Sequence, residues 1–240
     1  MTPAPYLLET RDLTKYFGGL SATNGVDIKV APGEIRCLIG PNGAGKSTLF
    51  KLILGTYEPT AGTILFDGED ITRLRSHSRV QRGLSIKFQV PGIFHALSVE
   101  QNLRIALQRT VEYSTRNAEI DRLLGLLDLA HQRGTAAGNL SHGQQQWLEI
   151  GMAIACRPKL LLLDEPTAGM SPEETFKTGE LVKRLNAQGM TVIVIEHDMT
   201  FVRQIATRVT VLHFGKIFDE GTLDDIVKNE DVVRIYLGKA

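Results

Sequence analysis

The chain has 240 residues, 42% of them hydrophobic, and its 27 Lys and Arg balance 27 Asp and Glu to a formal net charge of zero. That length suits one large domain or a domain with an inserted lobe, with core enough to fold without disulfides. The balance offers no basic footprint for nucleic acid, no apolar run approaches bilayer length, and the start MTPAPYLLETRDL has no signal-peptide pattern, so a cytosolic protein is expected.

The first elements read as strands: YLLETRDL, then ATNGVDIKV, a turn at Ala31-Pro32-Gly33, and EIRCLIG. TLFKLILG follows with helical spacing and stops at Gly55, and GTILFDG reads as a strand closed by Asp67-Gly68. After the strand-like LSIKFQ the character changes, because Ser98 to Arg133 is polar-rich and helix-periodic. An inserted helical lobe of about residues 90–155 is expected there. Within NLSHGQQQWLEIGMAIA, Ser141 is a good N-cap and Gln144 completes a capping box, while Leu148, Met152 and Ala155 mark the buried stripe. Gly143 leaves the first turn without a side chain, so an anion could approach the helix N-terminus. Gln145 and Gln146 read as ordinary polar positions on the exposed side. KLLLLDE and TVIVIEH are apolar runs too short for helices, separated by a helical segment from Pro172 to Gln188. That alternation predicts buried parallel strands with helices packed on them. Two strands around Gly215 and short helices complete the chain. Cys37 and Cys156 have no metal-type spacing and read as reduced structural thiols.

The strongest motif is GPNGAGKST, Gly40 to Thr48, with a strand before it and a helix after it. Gly40, Pro41, Asn42, Gly43, Ala44, Gly45 and Thr48 form a loop whose N–H groups can close around phosphate oxygens. Lys46 can place its ammonium on the β and γ phosphates, and Ser47 can offer its hydroxyl to Mg²⁺. Asp164 and Glu165 end a buried strand at the edge where open α/β sheets bind ligands. Asp164 suits Mg²⁺; Glu165, pointing the other way if the pleat continues, suits orienting or deprotonating an attacking water. His197, after the next strand, can donate to a γ-phosphate oxygen.

In order and separation, GPNGAGKST, Gln89, LSHGQ, LLLLDE, AGMS and EHD resemble the nucleotide-binding subunit of ATP-binding cassette (ABC) transporters, over nearly the whole chain. The resemblance implies a P-loop α/β fold of a single domain over 1–240. It has a mainly parallel core sheet, an N-terminal antiparallel β subdomain, the helical lobe and a C-terminal extension of about 215–240. It also implies ATP and Mg²⁺ as ligands, and ATP hydrolysis coupled to transport. Phe17, or else neighbouring Tyr16, resembles the residue that stacks on adenine. Gln89 resembles the Q-loop residue, which reaches Mg²⁺ or the attacking water. Glu165 resembles the general base, His197 the switch histidine, and Ala168 to Ser171 the D-loop. Ser141, Gly143 and Gln144 resemble the signature motif, which in this family contacts the nucleotide held by a partner subunit. The implied partners are a second cassette (itself or a paralogue), integral membrane permease subunits and, indirectly, a periplasmic or extracellular solute-binding protein. The place implied is peripheral, on the inner face of the cell membrane.

FGGL near the start and the stretch from EHDMTFVRQIATRVTVLHFGKIFDEGT to VVRIYLG resemble cassettes of importers for branched-chain amino acids and for urea or short amides. LSHGQQQWLEIGMAIA with AGMSPEET leans toward urea. The rival within the family is the ATPase of lipopolysaccharide export, whose switch region typically reads Asp-His where this chain has Glu196-His197. A P-loop small-molecule kinase, the rival from another class, would have no use for Leu140 to Gln144. His142 stands where the family more often has glycine; it either faces solvent or adds a pH-sensitive contact near phosphate.

Overall fold

Strands that are apolar at every position need cover on both faces, and the main sheet has it. The structure, a computed structural model, describes residues 6–87 and 92–237. Its first half runs β1 (Leu8–Phe17), β2 (Leu20–Val26), β3 (Lys29–Val30), β4 (Ile35–Ile39), α1 (Lys46–Leu54), β5 (Ala61–Phe66), β6 (Glu69–Asp70), α2 (Ser76–Gln81) and β7 (Leu84–Lys87). Helices α3 (Val99–Ala106), α4 (Arg116–Leu126) and α5 (His142–Ala155) follow. Then come β8 (Leu160–Asp164), α6 (Pro172–Ala187), β9 (Thr191–Ile195), α7 (Met199–Ile205), β10 (Arg208–His213), β11 (Lys216–Gly221), α8 (Leu223–Ile226) and α9 (Glu230–Leu237).

Among the described residues, one sheet has the order β11-β10-β4-β9-β8-β7, parallel except where β11 returns against β10. A second, antiparallel sheet has the order β2-β1-β5-β6, with β3 also on β1. The side-chain period of two divides each central strand between two cores. Ile35, Cys37 and Ile39 of β4, Leu161 and Leu163 of β8, and Val192 and Val194 of β9 pack with Leu103, Leu123, Leu148, Leu181 and Phe201 of the helices. The alternate residues Leu38, Leu160, Leu162, Ile193 and Ile195 pack with α1 and the antiparallel sheet, against Leu49, Phe50, Leu8, Ile64 and Phe66. The result is three layers, with the parallel sheet in the middle. Each such fully buried aliphatic side chain contributes about 1.5–3 kcal/mol.

Two local features depart from the sequence reading. ATNGVDIKV is broken between β2 and β3, where Thr10 of β1 spans the gap: its Oγ1 donates to Val26 O (2.8 Å) and accepts from Ile28 N (2.9 Å). Helix α2 has no counterpart in the sequence pattern, because its stretch SHSRVQ carries no apolar period. It is held instead by Arg79, 1% exposed, whose guanidinium donates to Leu52 O and Ile53 O at the end of α1 (2.7 Å each) and to Thr72 O and Leu74 O (2.8 Å each). A buried cation thus closes the C-terminal carbonyls of α1, where the helix dipole is negative. Burial draws its pKa down to about 10.

In the helical region α3 starts in a capping box of Ser98 and Gln101. Buried Asn102 accepts from Phe94 N (2.7 Å) and donates to Phe94 O (3.1 Å), holding the approach to α3. Glu100 is gripped by Arg133 (2.6 Å) and by Arg104, which hold its pKa down at about 2.

Replacement of Arg79 by Met should lower the unfolding free energy by on the order of 3 kcal/mol, read from urea denaturation with an unchanged m-value, because four carbonyls lose a charged donor. Glu100 has a folded pKa below its ordinary value of 4.5, so its contribution is present above that value and is lost as pH falls toward about 2. Accordingly Glu100→Gln should lower the melting temperature by roughly 2–4 °C at pH 7, a deficit that shrinks steadily between pH 4.5 and 2.

Candidate functional site

The loop from Gly40 to Thr48 leaves the carboxyl end of β4 and enters α1. Two of its glycines are dictated by close approach. A Cβ on Gly40 would lie 2.2 Å from Leu212 O, and one on Gly45 would lie 2.3 Å from Ala22 O. Gly45 also takes φ 105° as the N-cap of α1 and supplies no side-chain cap, so the first N–H groups of that helix have no side-chain acceptor from their cap. Lys46, 9% exposed, folds its ammonium back to donate to Gly40 O (2.7 Å) and Pro41 O (3.0 Å), which closes the loop into a ring. Burial lowers the Lys46 pKa, while Glu165 and Asp164 oppose that shift. The hairpin turn after β10 braces the loop from outside, with Gly215 N donating to Ala44 O (2.9 Å).

Over the loop lies a cavity of about 310 Å³ lined by Phe17, Leu20, Ser21, Ala22, Asn42 to Thr48, and Glu165. Phe17 lines it and Tyr16 does not; Phe17 is 41% exposed and stands edge-on to Tyr57, with ring centres 5.2 Å apart. An exposed aromatic face at one end and a ring of backbone donors with a lysine at the other match a nucleotide's base and phosphates.

The acidic edge differs from its sequence reading in one respect. The pleat does not continue through Glu165: β8 ends at Asp164, and Glu165 turns into the left-handed region at φ 46° while its N–H still donates to Ile195 O (3.0 Å). This conformation, which costs a non-glycine residue on the order of 1 kcal/mol, brings its carboxylate to the cavity wall. The turn is held by Glu196, 1% exposed. Its Oε1 accepts from Thr167 N (3.1 Å) and Thr167 Oγ1 (2.5 Å), and its Oε2 accepts from His197 N (3.0 Å). In the sequence Glu196 serves only to tell this chain from the lipopolysaccharide exporters; its hold on Thr167 is visible only in the structure. Nδ1 of His197 lies 3.7 Å from Glu165 Oε1. Asp164, partly buried, has its pKa raised by burial and by Glu165, with Lys87, Lys46 and Lys51 opposing.

Helix α5 begins as expected. Gln144 N donates to Ser141 Oγ (3.3 Å) and Ser141 N to Gln144 Oε1 (3.0 Å). The space beside Gly143 is taken by Glu174 of α6, whose Oε1 would lie 2.5 Å from a Cβ there and accepts from Ser141 Oγ at 3.4 Å. One other expectation is corrected and one is extended. Gln146 is not on the exposed side but 2% exposed, with its amide against the His142 ring. His142 is exposed, as one of its two readings had it, but its ring also makes a contact that neither reading included: Nε2 reaches Ala168 O at 3.0 Å.

The structure therefore gathers Phe17, Asn42 to Thr48 and Glu165 around one cavity, with Gly40 and Pro41 behind the loop and His197 beside Glu165. Ser141, Gly143 and Gln144 are not in its wall. Gln89 lies outside the described residues. Among the described residues no three His, Cys, Asp or Glu cluster as a metal site, so a cation at Ser47 and Asp164 would draw its other ligands from phosphate and water, as Mg²⁺ commonly does. No described helix is long and apolar enough to cross a membrane.

Comparison with known proteins agrees with this arrangement. The ABC transporter family matches residues 23–168. The high-affinity branched-chain amino acid transport ATP-binding protein BraF of Pseudomonas aeruginosa is 37% identical over 251 residues, covering 98% of each chain. LivG of Escherichia coli, described in the same words, is 37% identical over 254 residues at the same coverage. Among solved structures, the ADP conformation of MJ1267, an ATP-binding cassette of an ABC transporter, superposes with TM-score 0.89 at 31% identity, covering 98% of this chain and 100% of that one. The dimeric post-hydrolysis state of the cassette MJ0796, bound to ADP and Pi, gives TM-score 0.80 at 26% identity over 90% of this chain and 98% of that one. With its phosphate-shaped loop, its acidic strand end and this likeness along nearly its whole length, the chain belongs to the ABC transporter family as an ATP-binding cassette that hydrolyses ATP to power transport.

Proposed function

We propose that this cassette drives import of a small polar solute, a branched-chain amino acid or a short amide such as urea, from the inner face of the cell membrane. Separate permease subunits would form the pore, and a solute-binding protein would deliver the solute to it. The observation that carries this reading is the 37% identity, over 98% of both chains, to two ATP-binding proteins of branched-chain amino acid transport.

The catalytic arrangement we infer is shared between two cassettes. Each chain has the phosphate loop and Glu165 at one cavity, while Ser141, Gly143 and Gln144 stand outside that wall. Head-to-tail pairing would bring the α5 N-terminus of one chain to the cavity of the other, and the dimeric state of MJ0796 with ADP and Pi supports such a pair. Phe17 would stack on the base; the loop N–H groups and Lys46 would hold the phosphates. Mg²⁺, held by Ser47 and Asp164, would neutralise charge on the phosphate oxygens, with Gln89 reaching toward it or toward the attacking water. Glu165 accepts a proton from the water that attacks the γ-phosphate, ADP leaves, and His197, 3.7 Å from Glu165, steadies that carboxylate and donates to a γ-phosphate oxygen. Hydrolysis removes the group that both chains bind, so the pair loosens, and the permease is moved by that difference in affinity.

Glu165→Gln should keep ATP binding, lower turnover by about 10²-fold or more and accumulate an ATP-bound dimer; near-normal phosphate release would reject Glu165 as the base. Lys46→Ala should weaken nucleotide binding itself, whereas Ser141→Arg should abolish dimerisation and hydrolysis while each chain still binds ATP. Equal loss of binding in both variants would overturn the shared site. Cells lacking the protein should lose uptake of labelled leucine or of labelled urea and acetamide, and undiminished uptake of all three would overturn the importer assignment.

A further inference from the structure

We propose that His142 is a positioning residue that latches the turn carrying Glu165 to the N-terminus of α5, so that engagement of α5 by a partner's nucleotide is felt at the chain's own catalytic carboxylate. The inference rests on the shared-site reading above and names the device that links its two halves. The ring sits at the first residue of α5, with Nε2 3.0 Å from Ala168 O. A carbonyl can only accept, so Nε2 carries the proton and donates. A Cβ on Gly169 would lie 3.3 Å from both Cδ2 and Nε2, so the turn packs directly on the imidazole. Gln146, one turn further along α5 and buried, has its amide 3.4 Å from the same nitrogen, and its Oε1 has no other partner among the described residues, so the amide turned to present Oε1 gives a protonated Nε2 a second acceptor.

The turn is short and held along its length. Ala168 N donates to Glu165 O (3.3 Å), Met170 N to Thr167 O (3.0 Å), and Thr167 is fixed by Glu196. At its far end Ser171 N donates to Glu174 Oε2 (3.0 Å), while Oε1 of the same carboxylate accepts from Ser141 Oγ (3.4 Å). One hydrogen bond and one turn therefore separate the residue next to Ser141 from the residue at φ 46° that faces the cavity. Glutamine places its Nε2 about where histidine has Nε2, whereas asparagine reaches only as far as Nδ1. Side-chain length thus separates a latch from mere filling of space.

The test compares His142→Asn, His142→Gly and His142→Gln in the full chain by amide hydrogen exchange across residues 165–171 and by steady-state ATP hydrolysis. Asn and Gly should raise exchange of the turn's amides and lower kcat, each by about fivefold, with KM for ATP within about twofold of the parent. Gln should restore both. The proposal is overturned if Gln is as impaired as Asn, if Asn exchanges like the parent, or if exchange rises while kcat is unchanged. A parent chain that hydrolyses no ATP would reject the function proposed above, while the exchange pattern would still decide the latch.

Discussion

The level of the strands in the parallel sheet is the constraint on which the site depends. Ile195 of β9 is the register partner of Leu38 in β4 on one side and of Asp164 in β8 on the other. Three loops consequently begin at the same height: the glycine loop at Gly40, the acidic turn at Glu165 and the Glu196-His197 pair. Parallel pairing puts all their starting points on one edge, and the two cores beneath leave the strands no freedom to slip, since a one-residue shift would exchange their faces. The groups of the site need no contact with one another to be aligned; the sheet aligns them.

On that frame the polar work is done by a few buried groups acting on main chain. Arg79 closes the end of α1, Lys46 rings the glycine loop, Glu196 pins the acidic turn and Asn102 fixes the approach to α3. Each places a charged or amide side chain against N–H or C=O groups that regular structure leaves unpaired. A buried group of this kind is costly unless fully bonded, so each holds its segment in one geometry. A chain with no net charge can thus carry ions inside while its surface pairs remain weak.

How much of this is legible beforehand follows from the range of the cause. The glycine loop, the two apolar strands, the capping box at Ser141 and the hairpin at Gly215 are written in neighbouring residues, and the structure has them where the sequence puts them. Helix α2 was invisible because its reason to exist, Arg79, acts on carbonyls 26 and 27 residues earlier. The turning of Glu165 lies beyond the local pattern for the same reason, since Glu196 holds Thr167, two residues along the turn, from 29 residues further down the chain; the 2% exposure of Gln146 has no sign in its residue type. The proposed pairing of Ser141 with a second chain has no sign in the fold of one chain beyond the absence of Ser141 from the cavity wall, and it is suggested only by family resemblance.

The contact between Gly215 and Ala44 has a consequence for how the molecule is made. The glycine loop is near the N-terminus, yet its outer wall is the β10–β11 turn, and the Leu212 carbonyl fills the space beside Gly40. A chain leaving the ribosome therefore carries a complete phosphate-binding motif through most of its synthesis without the wall that shapes it.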